Sequence, residues 1–349
     1  MNLALVGCGG NGGVIAASLA QNRPSPVCID KNREIVDAIN QNGLQLHGKK
    51  GKHHVQIEAF PGFSEEMGTF DAIILGVKSN VLEAVFKEAR NYLCESGFIV
   101  TIQNGLEILS IAKKHPDTRV VAGAVGYNAV HEEIGSIFVT AEGGITFGTL
   151  NNAGEHDLSL LKELLPPMIP VHTHENTVGV LWTKLLIVCG ATGLSGVAGL
   201  RVGELLLYPV ARKLFYGMAT EGSLLAEKLG IQLVKLHGAP NPEKFGNHKR
   251  GSPLPIRWLL LKLAGIKFKD LKSGIQVDIE RGSKTEVKYI NGAIVQEGER
   301  IGIDAPINRL VVKMVKEIEE GRRKMSPDNL FEMWSSVKDS SIFMTREME

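Results

Sequence analysis

Six residues near the start of the chain constrain its fold more than any others: Gly7-Cys8-Gly9-Gly10-Asn11-Gly12. Residues 1–6 before them are apolar and strand-like, and residues 13–21 after them read as the start of an amphipathic helix. Strand, GxGxxG and helix in that order form the context of a dinucleotide-binding turn. Gly7 allows the tight turn, Gly9 lets backbone approach a pyrophosphate, and Gly12 lets the helix pack close to the sheet. The N–H groups at the helix start, aided by the helix dipole, then face the anionic ligand. The expected cofactor-binding set begins with Gly7, Cys8, Gly9, Gly10, Asn11 and Gly12.

The next strand-like run, residues 26–30, ends in Asp30, 23 residues after Gly7. An acid at about that spacing holds the adenosine ribose diol and repels a 2′-phosphate, which favours NAD(H) over NADP(H). Lys31 and Arg33 follow at once, and they read either as partners of a phosphate or as a solvated helix start. The 349 residues suggest two domains, and 39 basic residues against 38 acidic ones give no field directed at nucleic acid or an anionic membrane. Cys8, Cys28, Cys94 and Cys189 are scattered, as expected of thiols in a reducing compartment. With no leader-like segment, and with Lys184 and glycines interrupting the most apolar run, a cytoplasmic protein is expected.

Strand-like segments at 2–6, 26–30, 55–59, 71–77, 98–102, 119–124 and 136–141 alternate with helical ones at 11–21, 32–41, 79–93 and 106–113. This alternation predicts a parallel sheet covered on both faces. Residues 139–148 read as a hairpin closing the sheet edge. Beyond residue 176 long helices are expected at 176–195, 203–229, 276–298 and 304–320. The fold class is therefore α/β, a Rossmann-type domain over 1–172 followed by a mostly α-helical domain over 176–325, with 326–349 as a peripheral tail. Residues 234–271, with four prolines and His248-Lys249-Arg250, read as a loop-rich insertion holding one helix near 256–264.

Several segments converge on one family. Val77-Lys78-Ser79-Asn80 and Ile102-Gln103-Asn104-Gly105 stand at strand ends, and Leu181-Trp182-Thr183-Lys184-Leu185-Leu186 opens the helical part. Thr285-Glu286-Val287-Lys288-Tyr289-Ile290-Asn291-Gly292 and Gly302-Ile303-Asp304-Ala305-Pro306-Ile307-Asn308 come later. In this order, from Met1 to about Gly321, the chain resembles ketopantoate (2-dehydropantoate) reductases. The resemblance implies a second domain like the C-terminal domain of 6-phosphogluconate dehydrogenase. It also implies nicotinamide-dependent reduction of a 2-oxo acid, most simply 2-dehydropantoate to pantoate, in a cleft between the domains.

By that resemblance Lys184 is the catalytic lysine, since hydride addition to a ketone leaves an alkoxide that an ammonium can stabilise and protonate. Its competing reading is a lysine whose stem packs while its head reaches water. Glu286 matches the acid that bonds a substrate hydroxyl, against an exposed helix carboxylate paired with Arg281 or Lys288. Asn104 matches a substrate or ribose contact, against an Asn-Gly turn. Lys31, Val77 and Lys78 complete the expected cofactor set, and Asn291-Gly292 reads as structural. Family members carry asparagines four and eight residues after the lysine, where this chain has Val188 and Thr192. The family serine twelve residues before the glutamate falls at Gly274, beside Ser273. Thr192 and Ser273 stand in as candidate substrate contacts, and the thinned polar set keeps open a paralogue acting on another 2-oxo acid. The other class is a non-catalytic NAD(P)-binding sensor, which needs neither Lys184 nor Glu286. No metal site is expected, because His53-His54 and His172-Thr173-His174 read as surface or linker positions. A homodimer is expected through Leu205-Leu206-Leu207 and Leu224-Leu225, with only a small-molecule substrate besides.

Overall fold

The computed structural model describes residues 1–21, 25–166, 168–239, 254–340 and 342. The chain divides into two compact units, Met1–Gln103 with Glu107–Leu181, and Asn104–Leu106 with Trp182–Glu349. The boundary after Leu181 comes later than the 172–176 expected.

In the first unit β1 (Leu3–Val6), β2 (Val27–Ile29), β6 (Phe70–Leu75), β7 (Leu93–Thr101) and β8 (Arg119–Val125) are the apolar runs of a parallel sheet. With β5 (Ala59–Phe60), β11 (Ile145–Leu150) and β12 (Val171–Thr173) the order is β12-β11-β8-β7-β6-β1-β2-β5. Only the β8–β11 pair in it is antiparallel. β1 is flanked by β2 and β6, so strand order reverses at its carboxyl end, where open α/β sheets hold ligands. The helices are α1 (Gly10–Gln21), α2 (Arg33–Asn42), α3 (Leu82–Arg90), α4 (Glu107–Lys114) and α5 (Glu155–Leu164).

A second sheet was not foreseen. β3 (Leu44–Gly48), β4 (His53–Val55), β9 (Asn128–Glu133) and β10 (Ser136–Ala141) form the order β4-β3-β10-β9. Hence 139–148 is not a hairpin: β10 pairs with β3 and β9, while β11 pairs with β8 and β12. The link between them passes so close to Gly126 that a Cβ on Gly143 would lie 2.3 Å from the Gly126 carbonyl oxygen. α1 packs against both β1 and the second sheet, and Gly12 through Leu19 are all buried. It is therefore apolar all round rather than amphipathic. His53 and His54 lie on β4 and His172 on β12, not in linkers.

The second unit is helical. α6 (Thr177–Val188) runs through a five-residue π turn, Cys189–Gly193, into α7 (Leu194–Ala198). This 22-residue stretch has mean hydropathy 1.6, long and apolar enough to cross a membrane, but 72% of its apolar window is buried as a core helix. The expected helix 203–229 is two, α8 (Val202–Leu205) and α9 (Pro209–Lys228), because Pro209 starts a new first turn. The expected 276–298 is also two, α11 (Gly274–Glu280) and α12 (Asn291–Arg300), separated by ten residues of turns. Of the insertion, α10 (Leu254–Lys267) is a helix, while His248-Lys249-Arg250 and three of the four prolines lie outside the described residues. α13 (Pro306–Glu319) and α14 (Asp328–Val337) complete the unit. The start of the expected tail is thus a packed helix, with Leu330, Met333 and Val337 buried.

The close approach of α1 to the second sheet gives a test. A Cβ on Gly10 would lie 2.1 Å from the Ala129 carbonyl oxygen, whereas one on Gly9 meets nothing within 4 Å. Gly10→Ala should lower unfolding free energy by about 2 kcal/mol or more, since backbone must shift to admit the methyl group. Gly9→Ala should fold with near-native stability. Urea unfolding of both variants checks this, and equal midpoints would sink the packing argument.

Candidate active site

Gly7 leaves β1 with φ +90°, a conformation open to glycine, and a Cβ there would sit 2.9 Å from backbone of Gly76 and Val77. Its N–H donates to the Ile29 carbonyl at 2.8 Å, and the Gly76 N–H donates to that of Val6 at 2.7 Å. The carboxyl ends of β2, β1 and β6 are thereby tied together. Gly12 brings α1 against the turn, where a Cβ would meet the Gly7 carbonyl oxygen at 2.1 Å. Beside Gly9, at the amino end of α1, the space is open. That opening fits a pyrophosphate approaching backbone N–H groups.

Asp30, half-buried at the end of β2, accepts from the Cys8 N–H through Oδ2 and from the Asn32 N–H through Oδ1, each at 2.9 Å. The carboxylate therefore braces the glycine turn against the cap of α2, and each oxygen keeps a second lone pair for a diol. Asn11 and Val77 are half-buried, while Lys31 and Lys78 are exposed. Three supports were not foreseen. The Tyr127 hydroxyl donates to the Asn11 carbonyl at 2.9 Å, and His131 Nε2 lies 2.9 Å from the Cys8 carbonyl oxygen. The Gln103 amide donates to the carbonyls of Leu75 and Val77 at 2.5 and 3.0 Å. Tyr127 and His131 could be found only by recognising the second sheet.

α6, whose chain passes from the first unit into the second after Leu181, is apolar, and Leu181, Trp182, Thr183, Leu185, Leu186 and Val188 are buried. Between Leu181 and Ala198 the partly exposed positions are Lys184, Ile187, Ala191 and Thr192, so Lys184 and Thr192 share an open stripe. Burial pushes the Lys184 ammonium down to about 8. Two glycines make room for the π turn that follows. A Cβ on Gly190 would meet the Phe215 ring at 2.6 Å, and one on Gly193 would meet Asn291 Oδ1 at 2.6 Å.

The Thr192 hydroxyl donates to the Val188 carbonyl at 2.7 Å, within its own helix. The Ser273 hydroxyl donates to the Thr192 carbonyl at 3.4 Å and caps α11 by accepting from the Gln276 N–H at 3.1 Å. These two candidates are side by side, with both hydroxyl protons engaged. Glu286 is half-buried in the turns before α12, not on a helix, and its carbonyl accepts from the N–H groups of Tyr289 and Ile290. Asn104 is half-buried in the bend after β7 and groups with the second unit. Asn291 is fully buried and structural, donating to the Cys189 carbonyl at 3.3 Å and to Asn308 Oδ1 at 2.9 Å.

Comparison with known proteins follows the same division. A family model described as ketopantoate reductase PanE/ApbA matches residues 3–152, and one for the C terminal part of that family matches residues 176–319. A 2-dehydropantoate 2-reductase of Archaeoglobus fulgidus is 22% identical over 318 residues, 91% of this chain and 97% of that protein. The crystal structure of a PanE/ApbA family ketopantoate reductase from Ralstonia eutropha matches with a TM-score of 0.76 at 22% identity, over 92% of this chain and 99% of that one. A D-mandelate dehydrogenase in ternary complex with NADH and anilino(oxo)acetate matches with a TM-score of 0.75 at 19% identity, over the same shares. These structures share the fold. With both halves of the family model matched, the chain belongs to the ketopantoate reductases, nicotinamide-dependent oxidoreductases that act on a CH–OH group.

Proposed function

We propose that this enzyme reduces the C2 carbonyl of a 2-oxo acid, 2-dehydropantoate to pantoate, the step that feeds pantothenate and coenzyme A synthesis. The observation that carries the reading is Lys184, a cation on the open stripe of an otherwise buried apolar helix, its ammonium lowered to about 8. A group of that acidity serves as proton donor near neutrality. The reduced nicotinamide supplies the hydride. As the C2 carbonyl becomes an alkoxide, Lys184 stabilises the charge and gives up a proton to form the hydroxyl, and solvent then reprotonates the amine. Glu286 and Asn104 anchor the substrate by accepting from and donating to its polar groups, with Thr192 and Ser273 as weaker contacts.

For the cofactor, the proposed set is Gly7, Cys8, Gly9, Gly10, Asn11, Gly12, Asp30, Lys31, Val77, Lys78 and Asn104. NADH is preferred over NADPH, because the Asp30 carboxylate already beside the glycine turn accepts from a ribose diol and repels a phosphate. The D-mandelate dehydrogenase relative is seen with NADH. A second reading, reduction of a different 2-oxo acid, is favoured by one feature. Val188 is an apolar interior residue and the Thr192 hydroxyl is spent within the helix, so the polar contacts of the family are thinned. A cytoplasmic homodimer completes the proposal. Of the expected interface Leu205, Leu206 and Leu225 are interior, Leu224 is half-buried and Leu207 is exposed, and the exposed row Ile256, Leu259, Leu263 and Ile266 on α10 offers a wider apolar face.

Spectrophotometric oxidation of NADH and NADPH against a panel of 2-oxo acids tests the reading directly. We expect turnover with 2-dehydropantoate and higher kcat/KM for NADH. A better alternative acid selects the second reading, and no turnover with any member overturns both. Lys184→Ala should lower kcat on the order of 10²- to 10⁴-fold with NADH affinity retained, the usual range for loss of a general acid. Undiminished turnover would remove Lys184 from the chemistry. Because only the protonated amine donates, kcat should fall as pH rises through about 8. A profile flat to pH 10 contradicts the assignment.

A further inference from the structure

Beneath the open stripe lies a buried polar chain that the reaction above does not use. Glu221, in the middle of α9, is 2% exposed. Its Oε1 accepts from the Ile307 N–H at 2.7 Å, and its Oε2 accepts from the Asn308 N–H at 3.1 Å and the Asn308 side-chain amide at 2.7 Å. Asn308 Oδ1 accepts from the Asn291 amide at 2.9 Å, and the same amide donates to the Cys189 carbonyl at 3.3 Å. Asn291 and Asn308 are both fully buried.

The chain has a direction, and Glu221 sets it. In its ionised form the Glu221 carboxylate can only accept, so Asn308 turns its NH₂ toward Glu221 and its oxygen toward Asn291. That oxygen in turn requires the NH₂ of Asn291, which also reaches Cys189. Cys189 opens the π turn five residues after Lys184, and Asn291 opens α12 five residues after Glu286. The last two links of the chain, Asn291 and Cys189, thus lie in the two segments that carry the acid–base residues. We infer that Glu221 is a positioning residue, which through Asn308 and Asn291 orders the π turn after Lys184 and the turns that carry Glu286. This rests on the reading of Lys184 and Glu286 as reactive groups.

Glu221→Gln tests it, because an amide NH₂ at this site faces at least one N–H donor and frees Asn308 to reverse. The double variant Glu221→Gln with Asn308→Asp restores an acceptor toward Asn291, now fixed by a donor at 221. For Glu221→Gln we expect kcat to fall on the order of 10- to 100-fold, the scale of a small misplacement of catalytic groups, with NADH affinity unchanged. Amide hydrogen exchange should accelerate in residues 189–193 and 286–292. The double variant should recover both readouts at least in part. Native exchange and native kcat in Glu221→Gln overturn the inference, as does a loss that the double variant leaves unrepaired, which would mark Glu221 as packing alone. If Glu221→Gln does not fold, Asn291→Leu, which leaves Glu221 with its three donors, takes its place. Slower turnover with faster exchange in the same residues then supports the inference, and native values of both overturn it. Lys184→Ala measured alongside should lose turnover with native exchange. If it instead retains turnover, the proposed chemistry fails while exchange still judges the polar chain.

Discussion

Both units depend on a helix buried on nearly every side, and such a helix needs residues that let neighbouring backbone and rings come close. In the first unit this is α1, held between the parallel sheet and the smaller sheet, with Gly10 and Gly12 at the closest approaches. In the second it is the Thr177–Ala198 stretch, where Gly190 admits Phe215, Gly193 admits Asn291 and Gly196 admits Ile275. Protein interiors are packed like molecular crystals, so these glycines decide the distance at which whole elements stand. The glycine turn and the Lys184 stripe are consequences of that distance.

The two halves of the proposed chemistry rest on different physics. In the proposal the glycine turn works with backbone N–H groups and one bracing carboxylate, Asp30, so it demands few side chains. Lys184 depends on its surroundings: apolar neighbours lower the ammonium and leave a single open stripe along the helix. The hydroxyls around that stripe are spent on backbone, Thr192 on the Val188 carbonyl and Ser273 on the Thr192 carbonyl. In the proposed chemistry reaction type and substrate choice are accordingly separable, the first set by burial and the second by the few side chains that line the stripe.

What could be read from residues alone follows the range of the forces involved. The parallel sheet, the glycine turn, Asp30 and the helical second half declare themselves through local runs and short spacings. The smaller sheet did not, because β3 and β4 are short and half-polar and the strand that joins β3 to the rest of the sheet, β10, lies far along the chain. Without it the bracing of the turn by Tyr127 and His131 is invisible, and the Gly143-Gly144 link reads as a hairpin. The break between α11 and α12 falls at the polar run 281–286 and is masked because Val287, Tyr289 and Ile290 resume an apolar pattern before α12 begins. Glu221 looks like any helix carboxylate in sequence. Only the amino end of α13 packed against it reveals a buried acceptor, raised to about 7 by burial against the opposing pull of its three donors.

The pairing of β3 with β10 has a kinetic side. Leu46 and Ile137 face each other across a parallel register although about 90 residues separate them. The larger sheet can grow from neighbouring β–α units, but the smaller one has to wait for that long closure, since non-local pairs form slowly. Until it forms, the outer side of α1, with Gly13 and the apolar residues that meet Ile137, stands uncovered. The newly made first unit therefore passes through a stage in which its cofactor helix is a sticky surface. Anything that slows the chain between β3 and β10 lengthens that exposure.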